Sequence, residues 1–118
     1  MILGIGSDVC SVDRLEQSLT RTPKLSERLF HPNELGLSTK SLAARFAAKE
    51  AITKAIGNPA VLTFNEVEIV KNQLGKPSIA FHSKTKDRID EIGELRFHLS
   101  LSHDAGIALA TVVVEKSE

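Results

Sequence analysis

An α+β fold, with a mainly antiparallel sheet packed against one long buried helix, follows from three observations. At 118 residues, 42% of them apolar, the chain suits a single domain spanning residues 1–118 with a core of its own. Its apolar runs come in the order strand, helices, hairpin, helix, hairpin, which favours antiparallel pairing over a doubly wound parallel sheet. The stretch Leu42–Ile56 carries Leu, Ile, Phe and Ala round nearly the whole circumference of a helix, as buried helices do.

The elements can be justified in turn. Met1–Val9 is short, apolar and punctuated by Gly4 and Gly6, which suits a buried strand ending in a turn. Ser11 is placed as an N-cap and Asp13 as a first-turn acid for a helix whose Val12, Leu15 and Leu19 share one face. Arg14, Ser18 and Arg21 share the other face, and Pro23 stops the helix. A second short helix runs from Leu25 to Phe30 and is interrupted by Pro32. Gly57, Asn58 and Pro59 close the long helix in the order expected past a helix end. Val67–Val70 and Ser78–Phe81 read as strands joined by a turn at Asn72–Pro77. A charged helix covers Lys84–Ile92, and strands at Phe97–Ser102 and Ile107–Val114 close the chain around His103-Asp104-Ala105-Gly106.

Several function classes fall away. The 15 basic and 15 acidic residues cancel, which argues against nucleic acid as the main partner. Without Trp or Tyr, and with five Phe, the chain also lacks the stacking platforms of single-strand binders. Ile107–Val114 is far too short to span a membrane, and the N-terminus lacks the pattern of a signal peptide, so a cytoplasmic setting is expected. Cys10 is the only cysteine, which excludes an internal disulfide and a thiolate zinc cluster and reads as a small buried residue.

Three segments carry chemistry. On the long helix, Glu50 and Lys54 stand one turn apart on the face of Ala43 and Ala47, whose small side chains let a backbone or ligand approach. The same spacing also describes an ordinary surface ion pair. Asp8 follows Gly4-Ile5-Gly6-Ser7, where a carboxylate at a strand end is free to ligate or simply to cap a turn. The two glycines are not a dinucleotide fingerprint, because Val9 stands where its third glycine belongs. Should Asp8 and Glu50 converge, two carboxylates without sulfur or paired imidazoles favour a hard ion, Mg²⁺, completed by water and phosphate oxygens. In the third segment, His98, Ser100 and Ser102 alternate with Leu99, Leu101 and His103. A Ser-His-Asp hydrolase is disfavoured there, since the chain has no Gly-x-Ser-x-Gly elbow and adjacent strand residues point apart.

Taken together, Gly4-Ile5-Gly6-x-Asp8, Arg14, the block Arg45-Phe46-Ala47-Ala48-Lys49-Glu50-Ala51 with Lys54 and Gly57, Gly75-Lys76-Pro77, and Leu99-Ser100-Leu101-Ser102-His103 resemble one family. It is the short bacterial class of 4'-phosphopantetheinyl transferases, the holo-[acyl-carrier-protein] synthases, and the resemblance runs from about residue 2 to residue 116.

The resemblance implies that 4'-phosphopantetheine moves from coenzyme A to a serine of apo acyl carrier protein, releasing adenosine 3',5'-bisphosphate. It implies Asp8 and Glu50 as Mg²⁺ ligands and Lys54 as the cation that neutralises or protonates the leaving bisphosphate. The proton acceptor is left open between Glu50 and a water. Arg45 and Lys49 are expected to present charge to the nucleotide phosphates. Family members are homotrimers with sites between subunits, so Gly75, Pro77, Ser102 and His103 are expected to reach the nucleotide across an interface. The face of Arg14 and Arg21 is expected to dock the acidic carrier protein. That expectation agrees with the charge split, net +2 over residues 1–60 and −2 over 61–118. The family usually carries several more residues between Glu34 and Arg45, so Gly36–Ser41 is expected to form a tight link before the long helix. A phosphohydrolase using the same carboxylates, and a non-enzymatic nucleotide-binding module, are the competing readings.

Overall fold

The computed structural model describes residues 1–118. In chain order it contains β1 (Ile2–Ser11), α1 (Val12–Arg21), α2 (Leu25–Leu29), α3 (Thr39–Ile56), β2 (Val67–Lys71), β3 (Pro77–Phe81), α4 (Ser83–Ile92), β4 (Leu95–Asp104) and β5 (Ile107–Lys116). Short 3₁₀ turns at Pro32–Glu34 and Phe64–Glu66 precede α3 and β2. The strands form two antiparallel sheets, one in the order β1-β5-β4 and the other the β2-β3 hairpin.

Local chemistry sets most boundaries. The Ser11 hydroxyl accepts the Arg14 N–H and caps α1, as expected. Ser38 caps α3 in the same way through the Ser41 N–H, and Gly57 ends it at φ 82°, a left-handed residue that glycine adopts without Cβ strain. The expected link at Gly36–Ser41 is therefore shorter than predicted, because Thr39–Ser41 already form the first turn of α3. Between β2 and β3, the Asn72 side-chain oxygen accepts the N–H groups of Leu74 and Lys76, and Gly75 turns the chain at φ 84°. Ala105 and Gly106 both take positive φ, the signature of a two-residue hairpin linking β4 to β5.

α3 lies across the inner face of the three-stranded sheet. That face is built of small residues: Gly4, Gly6, Asp8 and Cys10 of β1 stand opposite Val114, Val112, Ala110 and Ala108 of β5. Ala108, Ala110, Val112 and Val114 are wholly buried, and so are Ala43, Ala44, Ala47, Ala48, Ala51 and Ile52 of α3. Burial of most of the helix circumference, with Lys54 left exposed, bears out the reading of Leu42–Ile56 as a buried helix, and Cys10 is buried as expected. Phe97, Leu99 and Leu101 of β4 extend the apolar face, while Arg96, His98, Ser100 and Ser102 face outward.

The glycines of β1 set the spacing between strand and helix. A Cβ at Gly4 would stand 1.9 Å from the Ala55 carbonyl oxygen, and one at Gly6 would stand 2.0 Å from that of Ala51. Strand and helix backbones are thus in direct contact, which no larger residue would allow. The next inward side chain of β1, Asp8, meets the Lys54 ammonium of α3 and lies close enough to Glu50 for its charge to act there.

Candidate active site

Asp8 was expected at the end of its strand. It lies instead within β1, paired with Ala110, because the strand continues to Ser11. Its inward orientation puts it on the face of α3 that carries Glu50 and Lys54. The Lys54 Nζ donates to Asp8 Oδ1 at 2.9 Å and to the Ser7 carbonyl at 3.1 Å. The Lys54 side chain remains 55% exposed, so its charge is also open to a ligand from solvent.

Glu50 is half-buried on the same helix face. Burial raises its carboxyl above the ordinary range, the negative charge of Asp8 raises it further, and Lys54 opposes both. Two carboxylates with one neighbouring ammonium, which is hydrogen-bonded to Asp8, form a site with an excess of negative charge. Oxygen donors of this kind suit a hard divalent cation such as Mg²⁺.

Arg45 and Lys49 do not join this cluster, contrary to the expectation that both present charge to phosphates. Lys49 is wholly buried, and its Nζ donates to Glu34 Oε1 at 2.5 Å and to the carbonyls of Leu29 and Phe64 at 2.9 and 3.1 Å. Burial lowers the Lys49 pKa while the Glu34 carboxylate resists that change. Arg45 is also buried, with Nε 3.7 Å from Glu34 Oε2 and Nη1 donating to the Ser41 carbonyl. Glu34 is what the sequence reasoning missed. It accepts the N–H groups of His31 and Ile69 as well as Lys49, so α3, β2 and the Pro32–Glu34 turn meet on one carboxylate.

The remaining candidates lie apart. Ser102 is exposed on the outer face of β4, and His103 points inward with Nε2 at 3.2 Å from the Lys40 carbonyl oxygen. Gly75 and Pro77 flank the tip of the β2-β3 hairpin. Arg14 and Arg21 are exposed on α1. Beside α1, a cleft of about 590 Å³ is lined by Val9, Cys10, Arg14, Leu25, Leu29 and Phe46 among others.

Known proteins supply the context for this geometry. The model of the 4'-phosphopantetheinyl transferase superfamily matches residues 4–112. A curated holo-[acyl-carrier-protein] synthase from Clavibacter sepedonicus is 49% identical over 115 residues, covering 98% of this chain and 97% of the relative. Among solved structures, the holo-[acyl-carrier-protein] synthase of Neisseria meningitidis superposes with a TM-score of 0.90 at 34% identity, covering 98% of this chain and 100% of that one. The synthase of Bacillus anthracis str. Ames, solved in complex with CoA (3',5'-ADP), has a TM-score of 0.81 at 35% identity, with 99% of each chain covered. The α+β architecture expected from the sequence is that of these enzymes, and the chain belongs to the 4'-phosphopantetheinyl transferase superfamily.

Proposed function

We propose that this chain, as one transferase domain over residues 1–118, moves 4'-phosphopantetheine from coenzyme A to a serine of apo acyl carrier protein and releases adenosine 3',5'-bisphosphate. The convergence of Asp8, Glu50 and Lys54 at the contact of β1 and α3 carries this reading. The names of the relatives agree with it.

Asp8 and Glu50 are the residues that would hold Mg²⁺, and their mutual repulsion fits that role. When bound, the ion supplies Lewis-acid polarisation and charge neutralisation at a pyrophosphate. Lys54 offers a cation held in place by Asp8 and the Ser7 carbonyl, suited to the charge that builds on the departing bisphosphate. The proton of the attacking serine would pass to Glu50 or to a water held beside it.

Coenzyme A and the carrier protein need more surface than this cluster. Gly75 and Pro77 at the hairpin tip, exposed Ser102, and His103 are proposed to reach the nucleotide from a neighbouring subunit of a homotrimer. Exposed Ile5, Val9 and Leu109 on the outer sheet face support such packing. Arg14 and Arg21 on α1 are proposed to steer the acidic carrier protein toward the adjoining cleft. No helix is long and apolar enough to cross a membrane.

Mass spectrometry of apo acyl carrier protein incubated with the enzyme, coenzyme A and Mg²⁺ tests the proposal. The carrier is expected to gain one phosphopantetheine group, and Asp8→Asn or Glu50→Gln to abolish the gain while the fold is kept. Activity undiminished by a chelator would exclude the metal, and release of adenosine bisphosphate without carrier protein would favour hydrolysis.

A further inference from the structure

A second cluster of ligating side chains is formed by elements other than the β1 and α3 that carry Asp8 and Glu50. His31 precedes the Pro32–Glu34 turn, Glu68 sits on β2, and His82 follows β3, so three separate elements bring these groups together. One donor atom from each lies within 4.8 Å of the others. The two imidazoles stack with centroids 4.4 Å apart and planes 26° from parallel. His82 Nε2 is 3.0 Å and His31 Nδ1 is 3.8 Å from the same oxygen, Oε1 of Glu68. The other Glu68 oxygen accepts a hydrogen bond from Asn33 Nδ2 at 3.2 Å, an outer partner that fixes the carboxylate plane.

The protonation pattern at His31 matters most. Its Nδ1 accepts the backbone N–H of Asn33 at 3.1 Å, so this nitrogen carries a lone pair and no proton. It therefore faces Glu68 Oε1 as one acceptor facing another, with no donor to bridge the gap. A cation resolves that opposition, and two imidazoles with one carboxylate form the donor set of a borderline transition ion. The side chains of His31 and Glu68 are 17% and 15% exposed and that of His82 is 40% exposed, so the cluster is reachable from solvent. A cleft of about 390 Å³ lined in part by His31 and His82 opens beside it.

The geometry points to a divalent transition-metal site at His31, Glu68 and His82, selective for Zn²⁺ over Mg²⁺, with a fourth position open to water in the adjoining cleft. Loading it replaces the His82–Glu68 hydrogen bond, with the His82 ring proton on the nitrogen turned away from the ion, and weakens the Asn33 bond to His31. The ion would clasp the Pro32–Glu34 turn to the β2-β3 hairpin, and its effect is on stability.

Full-length protein freed of metal is titrated with Zn²⁺ by calorimetry in the presence of excess Mg²⁺. One equivalent per chain is expected, with a rise of roughly 10 °C in Tm at a hundredfold excess over Kd. His82→Gln, at the most exposed of the three positions, and His31→Gln should each weaken uptake by roughly tenfold or more. Asp8→Asn/Glu50→Gln and His98→Gln should leave it intact, which separates this site from the carboxylates of the transfer reaction and from a lone surface histidine. Circular dichroism confirms that each variant is folded. Co²⁺ gives an independent readout, since visible absorption of low-coordinate Co²⁺ should appear in the parent and vanish in His82→Gln. Absent saturable uptake, uptake unchanged in both histidine variants, or uptake lost only with Asp8 and Glu50 overturns the site.

Discussion

Gly6→Ala tests the dependence of the active site on the near-contact of β1 and α3. The added Cβ would stand 2.0 Å from the Ala51 carbonyl oxygen and 2.8 Å from the Ala55 amide nitrogen. Both atoms are backbone, so no rotamer change relieves the clash. Reaching a normal contact of about 3.5 Å requires strand and helix to part by about 1.5 Å. Forced expansion of a packed core costs about 1–3 kcal/mol, and this site belongs at the upper end because the clashing atoms are helix backbone and the surrounding residues of β5 and α3 are wholly buried. The same displacement breaks the 2.9 Å contact between Asp8 and Lys54. A shift of about 1 Å at a reacting centre can cost about 10²-fold in rate. Urea unfolding should therefore show a loss of about 3 kcal/mol, and the carrier-protein assay a rate reduced by about 10²-fold or more. Gly75→Ala is the control, since a Cβ there meets nothing within 4 Å and only the positive φ of 84° is strained. It should cost about 1–2 kcal/mol. A Gly6→Ala protein within about 0.5 kcal/mol of the parent and equally active would refute the close-approach argument.

Other outcomes follow from the same structure. Lys54→Ala should change stability by less than about 1 kcal/mol, because the pair with Asp8 is largely exposed on the lysine side, yet it should depress kcat strongly in the transfer assay. Lys49→Met leaves Glu34 buried without its closest cation and should cost about 3–5 kcal/mol by urea unfolding, whereas Lys49→Met/Glu34→Gln should recover part of that loss in a double-mutant cycle. The hydrogen bond from His98 holds the Glu115 carboxyl below its usual value of 4.5. This bond's contribution to stability is present above the usual value and is lost as pH falls through the lowered one. In His98→Ala the Glu115 carboxyl midpoint, followed by NMR, should therefore move up, and the acid-induced loss of stability should be shallower.

What was legible from pattern alone was what local chemistry controls. The all-round apolar content of Leu42–Ile56 predicts a buried helix, Ser11 and Gly57 mark helix ends, and alternation from Phe97 to Asp104 separates the faces of β4. The spacing of Glu50 and Lys54 places them on one helix face because 3.6 residues make a turn. Family resemblance then joined Asp8 to them, a link that spacing could only leave conditional.

Tertiary structure decided which charges meet. Lys49 and Glu50 are adjacent in sequence, yet one is sealed against Glu34 and the other stands beside Asp8. Periodicity assigns Lys49 a helix face but cannot say that a carboxylate 15 residues earlier waits there. The same holds for Gly4 and Gly6, whose work depends on α3 crossing β1, and for His31, Glu68 and His82, which come from three elements. A buried charge can lie either at a site or inside a network, because either arrangement offsets its desolvation, and only the three-dimensional path of the chain selects between them. The sequence by itself thus determined the class of fold and the kinds of groups available, and the packing of β1 on α3 decided which of those groups share a site.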